Sequence, residues 1–61
     1  MKYKGKHFIV TKDQGIFRKG MLCHCFDEQK EFVRMWFQHP LFSDMHEVKV
    51  SKKVMDIFKE R

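Results

Sequence analysis

Gly15-Ile16-Phe17-Arg18-Lys19-Gly20-Met21-Leu22-Cys23-His24-Cys25-Phe26 decides how the rest of the chain is read. Two glycines bracket a basic turn, and beyond it lies an apolar-rich run in which side chains alternate between two faces. In a strand, successive side chains point to opposite sides. Met21, Cys23 and Cys25 therefore share one face, and Leu22, His24 and Phe26 share the other. Working outward, the residues before this stretch read as a strand leading into the turn. Those after it read as strands and a short helix closing over a core.

On the N-terminal side, Lys6-His7-Phe8-Ile9-Val10-Thr11-Lys12 is β-branched and aromatic, bounded by Gly5 and by Asp13-Gln14-Gly15. That composition predicts a first strand, with Phe8 and Val10 on one face and His7, Ile9 and Thr11 on the other. Apolar residues on both faces imply partial cover on both sides. Asp13-Gln14-Gly15 reads as a turn, because Asp bonds locally and Gly supplies positive φ. Arg18-Lys19-Gly20 reads as a second one.

On the C-terminal side, Asp27-Glu28-Gln29-Lys30 has the polarity and length of a hairpin connection. Glu31–Gln38 alternates with Val33, Met35 and Phe37 as the core set and Phe32, Arg34 and Trp36 opposite. Glu, Lys, Arg and Met also suit a helix, but the Phe-Val and Trp-Phe pairs favour a strand. Pro40 interrupts the pattern, since it cannot donate to a ladder and biases His39 away from helix. Met45–Val50 alternates again, with Val48 and Val50 on one face and Glu47 and Lys49 on the other. Ser51 is placed to cap a C-terminal helix through Glu60, whose stripe would be Val54, Ile57 and Phe58.

The 61 residues make one domain, close to the size below which cores need disulfides, metals or partners. Seven Phe, one Trp, one Tyr and five Met offset this, because each aromatic buries a large area. Such a composition excludes a disordered chain. Two Cys at i and i+2 of a strand are out of reach of an ordinary bridge, so they read as reduced thiols in a cytoplasmic setting. No long apolar run or leader-like segment is present, which argues against membrane spanning and secretion.

The net charge is +5. Residues 1–20 hold six basic side chains against Asp13 alone, while the remainder carries seven of each sign. The excess at Lys2, Lys4, Lys6, Arg18 and Lys19 favours an acidic or polyanionic partner, against the plainer reading of a solvated, solubilising surface.

The succession of strand, turn, "IFRKG", strand, hairpin, strand, turn, strand and terminal helical turn resembles a small Src-homology-3-like barrel of four to five antiparallel strands. It is also similar to short barrel proteins encoded by bacteriophages and prophages. The resemblance covers about the whole chain. It implies a mainly β fold with no shared active site, and binding of proteins or nucleic acids through loops and one barrel face. The segment His39–Asp44 and the length of the C-terminal helix depart from a minimal barrel.

Three chemistries are weighed against this. Cys23-His24-Cys25 suggests zinc, with His7, His39 or His46 as further ligands. Alternation puts His24 opposite the thiols, however, and no second cluster matches structural zinc spacing. No metal or other cofactor is expected, and the cysteines read as small packing residues. A Cys25–His7 or Cys25–His46 nucleophile lacks an orienting group, and the barrel leaves little room for a substrate, so no enzyme is expected. Asp27, Glu28 and Glu31 read as a solvated hairpin.

Binding is the remaining class. Arg34, Trp36, Leu41 and Phe42 would supply Arg and apolar anchors for a protein partner, with the N-terminal lysines steering toward an acidic surface. The resemblance makes that partner a host protein in the host cell's cytoplasm, blocked or redirected by steric occlusion. The alternative is a nucleic-acid-binding barrel. It would contact phosphates through Lys2, Lys4, Lys6, Arg18 and Lys19 and stack bases on Tyr3, Phe17 or Trp36. The chain would be a monomer or a weak homodimer, since self-association helps so small a core.

Overall fold

A computed structural model describes residues 2–38 and 44–61. The alternation seen in the sequence becomes five antiparallel strands: β1 (His7–Val10), β2 (Leu22–Glu28), β3 (Phe32–Gln38), β4 (Met45–Ser51) and β5 (Phe58–Glu60). They form one sheet in the order β4-β3-β2-β1-β5. A 3-10 helix, Lys52–Ile57, joins β4 to β5.

Burial matches the predicted faces. Phe8, Val10, Met21, Cys23, Cys25, Val33, Met35, Phe37 and Val50 are all buried on the inner side. Tyr3, Val48 and Val54 pack against them, half-buried. The helical alternative for residues 28–38 is not adopted, because period-two burial of Val33, Met35 and Phe37 satisfies the core on both neighbouring strands.

The closed barrel suggested by the resemblance is not formed: the sheet is open, with β4 and β5 at its edges. It is nonetheless curved. Phe17, in the loop between β1 and β2, touches Phe37 on β3 at 6.3 Å and Phe58 on β5 at 5.2 Å between ring centroids. Three strand spacings of about 4.8 Å would separate those strands in a flat sheet. One ring spans them only if the apolar face is concave.

The Asp13–Gly20 loop is built from two tight turns. Gln14 and Phe17 exchange backbone hydrogen bonds at 2.9 Å around Gly15 (φ +58) and Ile16. Positive φ at the first central residue alone is the type II′ pattern. Met21 N–H then donates to Arg18 C=O at 3.0 Å with Gly20 at φ +95, a type II turn needing Gly at that position. Asp13 Oδ1 accepts from Lys19 N–H, which ties the loop's two ends together.

The C-terminal segment departs from the expected helix in both type and length. Ser51 does cap it, accepting from Lys53 N–H at 3.2 Å. The helix ends at Ile57, and Phe58–Glu60 becomes β5 against β1. An exposed β1 edge offers ladder partners to Phe58–Glu60, which the isolated segment lacks, and pairing there buries Phe58.

Candidate functional site

The outer face of the sheet carries the side chains that the core does not use. Two rows cross it in register. One runs His7, His24, Trp36, Glu47 and the other Ile9, Leu22, Gln38, Met45. Leu22, Trp36 and Met45 are exposed, with Trp36 at 39% of its full area. Together with His7, His24 and Gln38 they line an open depression. The imidazoles of His7 and His24 are stacked, 4.4 Å apart and within 11° of parallel. The Trp36 ring lies 5.3 Å from Phe26.

Of the anchors expected from the sequence, Arg34 and Trp36 sit together on this face. Arg34 Nη2 donates to Glu47 Oε1 at 2.6 Å, and its guanidinium lies 5.6 Å from the Phe26 ring. Both ion-pair partners are substantially exposed, so the pair adds little stability. Its effect is to hold the guanidinium on the outer face near Phe26, the ring that Trp36 also packs against. Leu41 and Phe42, the other two expected anchors, lie outside the described residues, as do His39 and Pro40.

The five basic residues expected to share a face are divided. Lys2, Lys4 and Lys6 cluster where β1 begins, since Gly5 N–H donates to Cys25 C=O and Cys25 N–H to Lys6 C=O. Arg18 and Lys19 lie beyond the other end of β1, where Gly20 N–H donates to Val10 C=O. The four residues of β1 separate the groups by about 14 Å. Several are also engaged: Lys6 Nζ pairs with Glu60 at 3.3 Å, and Arg18 Nη1 donates to Gly15 C=O at 2.8 Å. Phe17 is core, and Tyr3 is half-buried with Lys2 Nζ 5.8 Å and Lys52 Nζ 6.0 Å from its ring. Of the three rings proposed for base stacking, Trp36 alone lies exposed on the sheet surface.

Glu28 is the residue that sequence reasoning misplaced. It is not a solvated hairpin position but the one buried charged side chain among the described residues. Its Oε1 accepts from Tyr3 N–H at 2.7 Å and Lys4 N–H at 3.1 Å. Oε2 accepts from Lys2 N–H at 3.3 Å and faces Lys52 Nζ at 2.9 Å. The Lys52 ammonium foremost, then the Tyr3 amide, hold its carboxyl down at about 2. Every acceptor position is occupied, so Glu28 ties the N-terminal segment to the 3-10 helix and is not free for chemistry.

A register shift between Cys25 and Asp27 explains the error. Cys25 faces Met35 and Asp27 faces Arg34, so Phe26 is an extra residue and alternation reverses after it. Glu28 turns inward where strict alternation would turn it out.

Cys23 and Cys25 point into the core, and His24 lies on the opposite face. Burial pushes the Cys23 thiol up to about 11 and raises that of Cys25 as well. The Cys25 thiol lies 3.3 Å from Asp27 C=O as a donor. Among the described residues no three His, Cys, Asp or Glu side chains converge as a metal set would. No described helix is long and apolar enough to cross a membrane. No protein-family model, curated protein or solved structure matches this chain.

Proposed function

We propose that this chain is a non-catalytic binding module of the Src-homology-3-like type that docks on a protein partner through its outer sheet face. The strand order, and a helical turn leading into a last strand that returns to β1, support the fold reading. One observation carries the function: Leu22, Trp36 and Met45 are exposed side by side around one depression. An inner face already holds the core, so folding does not require this second apolar group, and clustered exposed apolar side chains mark interaction sites.

Trp36 is the anchor and Arg34 the oriented charge beside it. Trp and Arg are the residue types that carry most interface energy. The net charge of +5 steers the chain to an acidic surface. The resemblance to bacteriophage-encoded proteins supplies the setting: a host protein occluded sterically in the host cytoplasm. The basic residues that would contact phosphates are divided between the two ends of β1. They form no continuous track beside Trp36, and the nucleic-acid reading is held as the alternative.

The test is capture from bacterial lysate with tagged protein, with and without nuclease. The expected result is one protein retained after nuclease treatment, with affinity falling roughly thirtyfold or more on Trp36→Ala. Recovery of nucleic acid alone, released steeply by salt, would transfer the module to the nucleic-acid class.

A further inference from the structure

We propose that the open edge of β4 pairs with β4 of a second copy, antiparallel, about a two-fold axis passing beside Val48. The backbone phase comes from one contact. Lys52 N–H donates to Glu31 C=O at 3.0 Å. In an antiparallel ladder the bonded pairs recur at every second residue. The register Val33 to Val50, Met35 to Val48 and Phe37 to His46 therefore contains the bonded pairs of β3 and β4. The N–H and C=O groups of Met45, Glu47, Lys49 and Ser51 consequently point away from β3, to an edge that no described strand covers.

A second β4 must meet this edge with its own outward groups, and charge selects among the registers that allow it. Centred on Val48, Glu47 stands opposite Lys49 of the second copy, and Lys49 opposite Glu47. A two-fold centred on Glu47 would oppose two carboxylates, and one centred on Lys49 two ammonium groups. Opposite charges on facing strands stabilise and like charges destabilise, so a single self-complementary register is favoured.

Two features of the single copy fit this arrangement. Arg34 is already paired with Glu47, whereas Lys49, directly across from Arg34, has no carboxylate partner among the described residues, and the Glu47 of a second copy would supply one. Val48, half-buried at the edge, would be covered by its own copy. The inward positions of β4, His46, Val48 and Val50, carry no Lys, Asp or Glu of the kind that blunts natural edges.

Sedimentation equilibrium, run up to millimolar concentration at moderate salt, tests the pairing. We expect a monomer–dimer equilibrium weakened about tenfold by Glu47→Lys or by Lys49→Glu, and restored by the two together. In the unaltered protein, amide exchange at Glu47 and Lys49 slows as concentration rises. Trp36→Ala leaves the dimer intact, which separates this edge from the outer-face reading. A monomer mass throughout would overturn the proposal. So would a dimer indifferent to both single substitutions, a double variant no stronger than either, or dissociation by Trp36→Ala.

Discussion

Glu28 shows how one side chain organises a segment with no regular structure of its own. Residues 2–4 carry backbone N–H groups that no strand receives, and this carboxylate accepts from all three. The Lys52 ammonium then balances its charge. The consequence is a defined pH response. Its folded value of about 2 lies below the ordinary 4.5, so the folded state binds the proton less readily than the unfolded one. Its stabilisation is complete above about 4.5 and is lost as pH falls toward about 2. Thermal melts of the native chain are expected to lose midpoint through that window. Glu28→Gln is expected to start lower at neutral pH and show a flatter acid limb. Parallel acid limbs for the two proteins would rule this out.

At the scale of elements, the β1–β2 connection sets how the two strands meet. Gly20 sits at φ +95, and a Cβ there would meet nothing within 4 Å. Any cost of substitution is therefore backbone strain alone. Gly20→Ala is expected to destabilise by about 1–2 kcal/mol, the penalty of a left-handed L-residue. Gly20→Asn should recover part of this, because Asn tolerates that region. Denaturant midpoints measure both, and an unchanged midpoint for Gly20→Ala would show that the turn does not constrain the loop. The element that differs most from expectation is the C-terminus. Val54 and Ile57 suit either a 3-10 or an α helix as a stripe, but Phe58 is claimed by β1, and the ladder ends the helix at Ile57.

The whole molecule is a five-stranded open sheet curved around one core, with Phe17 lying across its concave side. The radius of gyration is 10.5 Å, that of a compact chain of this length, so openness of the ladder does not mean a flat sheet. A domain this small has about 3–9 kcal/mol of stability. Truncating a buried Phe costs about 3–5 kcal/mol. Phe17→Ala is therefore expected to remove a third or more of that stability and to lower the melting midpoint by about 15–30 °C, while Ile16→Ala, at a residue 58% exposed, leaves it nearly unchanged. Circular dichroism melts of the pair check this, and equal midpoints would place Phe17 outside the core.

Local pattern by itself determined which residues face the core on β1, β3 and the first half of β2. It also determined the two glycine turns and the Ser51 cap, because each depends on neighbours a few positions away. The outer-face placement of Trp36 and Arg34 was legible for the same reason: period two puts them opposite Val33, Met35 and Phe37. Only the tertiary structure decided that Glu28 turns inward, since a bulge at Phe26 changes the parity of everything after it and leaves no mark in composition. Long-range pairing also made Phe58–Glu60 a strand, drew Phe17 out of the exposed loop into the core, and separated Lys2, Lys4 and Lys6 from Arg18 and Lys19. Those outcomes rest on contacts between residues distant in sequence, which short-range spacing cannot encode.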